Sequence, residues 1–179
     1  MPDLSPATRI SIVMPRLFFG STLTPIALAG CATPPAALPP PDAVAIRAAL
    51  DKQVASFGPL LQNKDVAGTA ALFTEDATWI LPDAATFTGK AAIQAGVKGF
   101  FDALDSFTAE TSAIDKLIVV NDSEAVTFSH GIGMEKLTSE KKAQRHNNPF
   151  VDYWKNGANG RWLIAYEVNA DGVMPEKKP

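Results

Sequence analysis

Hydrophobic residues recur with two different periods along the chain, and each period predicts one class of element. Spacings of three and four residues place apolar side chains on one face of a helix. Asp42 and Asp65 each precede a helical pattern as N-cap residues, and Gly58-Pro59 should kink or end the first helix. The two longer stripes comprise Ile46, Leu50, Val54, Phe57 and Leu61, and Ile93, Val97, Phe100, Phe101 and Leu104. Three helices are therefore expected, with the short second one after Asp65.

From Phe107 onward the period changes to two, which is the period of a β-strand with one face covered. Four long strands are predicted in the second half of the domain, at roughly 107–120, 125–137, 145–155 and 161–169. Two shorter strands, 77–81 and 86–88, precede the third helix. Helices followed by an antiparallel meander predict an α+β fold, with the helices covering one face of a curved sheet.

The N-terminal segment has the pattern of an export signal. Arg16 precedes a short apolar run that ends in small residues at Cys31, the only cysteine in the chain. The tetrapeptide 28–31, Leu-Ala-Gly-Cys, resembles the lipobox of bacterial lipoproteins. We interpret residues 1–30 as a signal peptide and Cys31 as a lipidation site. A plain signal peptide with a chance cysteine, or a buried apolar segment, is the alternative, and Met14 is an alternative start to Met1.

Residues 31–41 contain five prolines after Cys31, which predicts an extended tether because proline fixes φ and removes a hydrogen-bond donor. A lipid anchor and a stiff tether would hold the domain at the periplasmic face of a bacterial cell envelope. The alanine after Cys31 resembles residues that permit outer-membrane sorting. The domain itself is expected at 42–170, with 171–179 as a C-terminal tail, and the membrane as a partner only through the lipid anchor.

Composition narrows the classes of function. The 179 residues are 46% hydrophobic and 20% charged, with a net charge of −3 and a pI near 5.3, so no basic surface predicts nucleic-acid binding. A single cysteine cannot form an intramolecular disulfide. Two histidines separated by fifteen intervening residues give no recognisable metal-ligand spacing, and no glycine-rich phosphate loop is present. We expect neither a metal nor a cofactor.

Two segments carry a resemblance to a known superfamily: FTEDATWILPDAATFTGKAAIQAGVKGFF, which begins at Phe73, and DYWKNGANGRWLIAYEVN, which ends at Asn169. Their order resembles the nuclear transport factor 2-like superfamily, closest to SnoaL-like and ketosteroid-isomerase-like bacterial proteins, over about 42–169. The resemblance implies a cone-shaped, strongly bent, mainly antiparallel sheet packed on three N-terminal helices, with a pocket at its open end. It also implies a homodimer through the outer face of the sheet.

The resemblance to ketosteroid isomerases covers only part of their catalytic set. In those enzymes a tyrosine and an aspartic acid donate hydrogen bonds to the oxyanion, and a second aspartate moves the proton. The tyrosine position aligns with Phe57, the base position with Leu81 and the oxyanion aspartic acid with Asp152. Neither leucine nor phenylalanine can accept or donate a proton, and a lost base costs roughly 10²- to 10⁴-fold in rate. Ketosteroid isomerisation is therefore not expected.

Strand alternation supplies the candidate acid and base. His130 alternates with Val126, Phe128, Ile132 and Met134, which places it on the apolar side of its strand. Asp152 lies between aromatic residues on the next strand, where desolvation should raise its pKa. The simpler alternatives are a structural histidine and a solvated strand-edge aspartate. His146, which follows a charged turn, is expected to be exposed to solvent.

The expected function is binding of a small, largely apolar organic molecule, with Asp152 and His130 as acid and base if the site is catalytic. The residues expected to contact the ligand are Phe57, Trp79, Leu81, Phe101, Phe128 and Trp154. The alternative for aromatic residues such as Trp79 is a place in the core. The alternative function is a non-catalytic, dimerising scaffold module of the cell envelope, since one fold supports both.

Overall fold

A computed structural model describes residues 40–170 of the chain. The predicted signal peptide, the lipidation site at Cys31, most of the tether and the tail at 171–179 lie outside these residues. Within 40–170, no helix is long and apolar enough to cross a bilayer.

Three helices form where the hydrophobic stripes predict them. Helix α1 spans Ala43–Gln62, α2 spans Val66–Ala70 and α3 spans Lys90–Ala103. Asp42 caps α1, because its Oδ1 accepts hydrogen bonds from the backbone N–H groups of the second and third helical residues, at 3.1 and 3.0 Å. Asp65 caps α2 in the same way, and its Oδ1 accepts from a backbone N–H at 2.8 Å. Helix α1 continues through Gly58-Pro59 to Gln62 rather than ending there.

Six strands form one mixed sheet, and the α+β prediction with a mainly antiparallel sheet is confirmed. The strands follow the order β2-β1-β6-β5-β4-β3 across the sheet, which is open, with β2 and β3 at its edges. Among the strands of residues 40–170, only β1 and β6 pair in parallel, and the other four pairs are antiparallel. The strands span Phe73–Ile80 (β1), Thr86–Thr88 (β2), Leu104–Asn121 (β3), Glu124–Leu137 (β4), Gln144–Asn156 (β5) and Trp162–Asn169 (β6).

The helices cover one face of the sheet, which we call the inner face. Leu50 of α1 and Ile93 of α3 are fully buried there, together with Trp154 of β5. Helix α1 approaches β3 closely at Gly58, where an added Cβ would lie 2.8 Å from the Cβ of Ala109. This glycine therefore fixes the spacing between the first helix and the sheet.

A β-bulge in β6 changes which side chains reach the inner face. Tyr153 of β5 pairs with Tyr166, but the next β5 residue, Trp154, pairs with Ile164. Ala165 is left without a partner between them, as the extra residue of a bulge. Consequently Ile164 faces inward before the bulge and Glu167 faces inward after it, and both are buried.

Candidate functional site

A cavity of about 360 Å³ lies between the inner face of the sheet and helices α1 and α3. Most of its wall is aromatic or aliphatic. Four of the predicted ligand-contact residues line it: Phe57, Trp79, Leu81 and Phe101. Its volume is near the lower end of the range for small-molecule pockets, roughly 300–1,000 Å³. The placement of these four residues agrees with the predicted cavity wall, whereas their role in ligand binding stays a prediction.

Four polar side chains form one continuous row across the inner face beneath this apolar wall. Trp79 of β1 is the register partner of Glu167 of β6, and Glu167 is the partner of Asp152 of β5. Asp152 is in turn the partner of Thr127 of β4. Cross-strand partners on one face hold their Cβ atoms about 4.5–5.5 Å apart, so the row brings together residues far apart in sequence.

Asp152 lies within the core rather than on the cavity surface. Its side chain is fully buried, and its Oδ2 accepts a hydrogen bond from the Thr127 hydroxyl at 3.2 Å. That hydroxyl accepts in turn from Nε1 of Trp154 at 2.8 Å. Burial raises the pKa of Asp152 well above its usual value, and the neighbouring Glu167 raises it further. The predicted rise is confirmed, and its main cause is that burial disfavours the charged form of this carboxyl group.

Glu167, unlike Asp152, lines the cavity. It is only 4% exposed, and it contributes to the cavity lining. Burial raises its pKa from 4.5 to about 7, while the neighbouring polar groups of Asp152, Trp79 and Asn169 act in the opposite direction. A carboxyl group with a pKa near 7 can both accept and donate a proton at neutral pH.

Asp152 and Glu167, which we call the carboxyl pair, are register partners on adjacent strands, and Glu167 contributes to the raised pKa of Asp152. Oδ1 of Asp152 and Oε2 of Glu167 are both buried, and neither has a hydrogen-bond donor among residues 40–170. Two ionised carboxylates can only accept, so a bond between them requires that one be protonated. Because Thr127 occupies Oδ2 of Asp152, Oδ1 is the atom left to carry the proton toward Glu167.

Sequence reasoning missed Glu167 because of the bulge at Ala165. Strict alternation from the buried Trp162 and Ile164 would place Tyr166 inside and Glu167 outside. In the structure Tyr166 is 42% exposed and Glu167 is buried. The one indication in the sequence was the presence of an acidic residue, Glu167, within the largely hydrophobic strand Trp162–Asn169.

The predicted inward orientation of His130 and Phe128 is wrong. Both lie on the outer face of β4, where Nδ1 of His130 is 2.8 Å from Oδ2 of Asp115 and Phe128 lies beneath the Lys116 ammonium. The inward-facing residues of β4 include Ala125, Thr127, Ser129 and Gly133, all of which are small. The predicted alternation of β4 was correct, but its larger apolar side chains lie on the face of the sheet that the helices do not cover. His130 and Asp152 therefore lie on opposite faces of the sheet and cannot act together.

Two other predictions about β5 are corrected by its burial pattern. Trp154 is fully buried on the inner face, but it packs in the core and does not line the cavity. His146 is buried and lines the cavity, rather than being exposed as expected, because the alternation of β5 carries it inward with Asn148 and Phe150. Residues 40–170 contain no cluster of three or more side chains suited to hold a metal ion.

Comparisons with known proteins agree with this fold. A family model described as a SnoaL-like domain matches residues 54–164. No match to the chain was found among curated proteins. Among solved structures, a conserved protein from Planctomyces limnophilus superposes with a TM-score of 0.62 at 17% identity, covering 73% of this chain and 99% of its own.

Two further structural neighbours have names that refer to enzymes. A ketosteroid isomerase-like protein from Erwinia carotovora atroseptica has a TM-score of 0.60 at 15% identity, with 71% of this chain and 97% of that chain covered. A type 3 hexachlorocyclohexane dehydrochlorinase from Novosphingobium barchaimii has a TM-score of 0.60 at 13% identity, with 76% and 94% covered. At these identities the similarity establishes the fold alone.

Proposed function

The chain belongs to the family of SnoaL-like domains, and on that premise we propose that it binds a small, largely apolar organic molecule in the inner-face cavity and acts on it by proton transfer. The observation that carries this proposal is a buried carboxyl group, Glu167, on the surface of an otherwise mainly apolar cavity. The fold commonly binds small molecules, and the cavity volume suits one.

Proton transfer is the reaction class that the carboxyl pair supports. Glu167 can move a proton at the ligand, and Asp152 behind it can hold one and donate to the ionised partner. One structural neighbour is named a dehydrochlorinase, and the loss of HCl that this name denotes includes the loss of a proton. Standard ketosteroid isomerisation is not proposed, because Leu81 and Phe57 occupy the aligned base and tyrosine positions.

A dimerising scaffold is the second candidate function, and the outer face of the sheet favours it. Phe128, Tyr166 and Val168 lie on this face and are 40%, 42% and 37% exposed. Contiguous exposed apolar residues on a soluble domain mark an interaction surface. A homodimer through this face is compatible with a ligand cavity on the inner face, so the two candidates are separable by experiment.

Anchoring to the cell envelope is part of the proposal and rests on the sequence. Cys31 would carry an acyl group, and the proline-rich residues 31–41 would hold the domain off the periplasmic face of the membrane. Expression in a double-membrane bacterium with a Cys31→Ala variant tests it. The wild-type chain should fractionate with membranes and carry an acyl mass, whereas the variant should not. An unmodified wild-type chain would remove the anchor from the proposal.

The ligand-binding proposal is tested by filling the cavity from one wall. Gly131 lines the cavity, and a Cβ there would meet only Phe150 and Ser112 at ordinary contact distances of 3.7 and 3.8 Å. Gly131→Leu should therefore occupy the cavity with little backbone strain. Gly99→Leu is the matched control, since no atom lies within 4 Å of a Cβ added there.

Native mass spectrometry of protein purified from its host should find a retained small molecule on the wild type and on Gly99→Leu. Gly131→Leu should lack it, and ligand-induced thermal shifts should disappear with the same variant. If no variant retains a molecule and no small apolar compound shifts the melting temperature, the cavity is not a binding site. The scaffold function would then be favoured.

A further inference from the structure

Glu167 is the one carboxyl group of the polar row that contributes to the cavity wall. The row Trp79–Glu167–Asp152–Thr127 runs from β1 to β4, and Asp152 at its centre is sealed from the cavity. Trp79 and Glu167 line the cavity, while Thr127 and Asp152 do not. A ligand that reaches the sheet would therefore meet a carboxyl group, not only an aromatic wall.

We propose that the carboxyl pair selects ligands by the chemical group at the end of the ligand that is buried against the sheet. The favoured ligand is uncharged and has a hydroxyl group there that donates a hydrogen bond to Glu167. Ligands that end in a carboxylate are excluded. This inference rests on the proposed ligand-binding function and names the class of ligand. Asp152 is a positioning residue, because its proton orients the Glu167 carboxylate from behind while Thr127 holds its other oxygen.

The chemistry of the pair explains the selection. When Glu167 is ionised, a hydroxyl group on the ligand can donate to it, and the bond is charge-assisted. A ligand carboxylate would then place a second negative charge against it inside a mainly apolar cavity, where like charges repel strongly. Such an anion could bind without this charge repulsion only if Glu167 were protonated, so carboxylate binding should be linked to proton uptake.

Other titratable groups face the same cavity and must be separated from Glu167. Asp83 follows β1, Glu135 lies on β4 and His146 on β5, and all three contribute to the lining. The helices contribute apolar and hydroxyl-bearing residues to the lining: Phe57, Gly58 and Leu61 from α1, Thr69 from α2, and Val97, Phe100 and Phe101 from α3. A variant changed only at Glu167 therefore isolates its share of any pH dependence.

The experiment compares three probes that share one ring system: naphthalene, 2-naphthol and 2-naphthoate, titrated into the full chain between pH 5.5 and 8.5. Naphthalene should bind with an affinity independent of pH, and 2-naphthol should bind more tightly than naphthalene. The affinity for 2-naphthoate should fall about 30-fold across this range, as Glu167, with a pKa of about 7, loses its proton. In Glu167→Gln that fall should disappear, and only the contribution of the remaining lining groups should be left.

Two further variants keep the test decisive. Trp79→Phe retains an aromatic side chain but removes the indole N–H, one of the polar groups that lower the Glu167 pKa, so the midpoint of the 2-naphthoate profile should move above 7. This shift would not follow from a merely structural role, and it replaces Glu167→Gln as the test if that variant does not fold. Asp115→Asn, on the outer face, is the matched control and should leave all three titrations unchanged.

The outcomes distinguish this inference from the function on which it rests. If none of the probes binds at any pH, the proposed ligand-binding function and the selection both fail. If naphthalene and 2-naphthol bind but 2-naphthoate has the same pH profile in wild type and Glu167→Gln, the selection by Glu167 is overturned and the binding function stands.

Discussion

Thr127 holds two buried polar groups together behind the cavity wall. Its hydroxyl donates to Oδ2 of Asp152 at 3.2 Å and accepts from Nε1 of Trp154 at 2.8 Å. Thr127→Val preserves the shape but removes both bonds, leaving a carboxyl oxygen and an indole N–H buried. We expect the free energy of unfolding to fall by about 1–3 kcal/mol, as measured by urea denaturation, because buried polar groups without partners retain their desolvation cost.

Ser129 offers the matched control for this prediction. It is buried on the same face two residues along β4, but its Oγ has no hydrogen-bond partner among residues 40–170. Ser129→Ala removes a polar atom without breaking a bond, so its unfolding free energy should stay within about 0.5 kcal/mol of wild type or rise. Equal losses for the two variants would show that the Thr127 bonds add nothing beyond packing.

Glu167 should make the stability of the fold depend on pH. Its pKa is raised from 4.5 to about 7, so between these values the native state holds more protons than the unfolded state. The free energy of unfolding should therefore be greatest below pH 4.5, fall as pH rises through this window and level off above 7, losing at most about 3 kcal/mol from this group. Asp152, whose pKa is also raised, adds to the same trend.

Glu167→Gln should flatten this fall and be relatively more stable than wild type at pH 8, when urea denaturation is compared at pH 5 and pH 8. Glu75→Gln is the control, because the Glu75 side chain is 84% exposed in its ion pair with Lys90. A wild-type protein that becomes more stable between pH 5 and pH 8 would contradict the raised pKa of the buried carboxyl pair.

At the scale of elements, the close approach of α1 to β3 depends on the absence of a side chain at Gly58. A Cβ there would lie 2.8 Å from the Cβ of Ala109, so one of the two elements must shift. Gly58→Ala should lower the free energy of unfolding by about 1–3 kcal/mol, despite the intrinsic preference of alanine for helices. Gly99→Ala, in α3, meets open space and should raise it by up to about 1 kcal/mol, and thermal denaturation of both variants measures the difference.

The elements themselves were largely predictable from sequence, because caps and hydrophobic stripes are local properties. Asp42 and Asp65 cap the helices as predicted, and the long strands end within three residues of the predicted bounds. The facing of the strands was less predictable, since it depends on which side the helices cover. The large apolar side chains of β4 belong to the outer face, so alternation assigned His130 to the wrong side.

Only part of the candidate site could be predicted from the sequence, because the site depends on the register between strands. Asp152 was identified by the alignment with ketosteroid isomerases and by the regular alternation of its strand, which places it between large residues on one face. Glu167 was missed because one unpaired residue, Ala165, reverses the alternation of β6, and a bulge is set by pairing with β5 rather than by the local sequence. The site is formed by four adjacent strands, and the register between them cannot be read from the sequence of any one strand.

At the scale of the whole molecule, the two faces of the sheet separate the two candidate functions. Register places six apolar residues in two adjacent rows on the outer face, the outer patch: Val126, Tyr153 and Tyr166, and Phe128, Val151 and Val168. Three of these side chains are at least 37% exposed. Because the sheet lies between this patch and the cavity, an interface here would leave the cavity lining untouched.

Replacing Tyr166 and Val168 together by lysine should therefore convert the proposed dimer into a monomer without affecting the cavity. Each protomer would bury two unpaired ammonium groups in the interface, which costs several kcal/mol, so self-association should weaken by at least about 100-fold. Sedimentation velocity of the full chain, in a Cys31→Ala background that excludes association through an acyl group, measures the change. Val44→Lys, at a helical position 82% exposed, is the control and should not alter the oligomeric state. A chain that is monomeric before substitution would contradict the dimer, whereas loss of 2-naphthol binding in the double variant would show that the two faces are coupled.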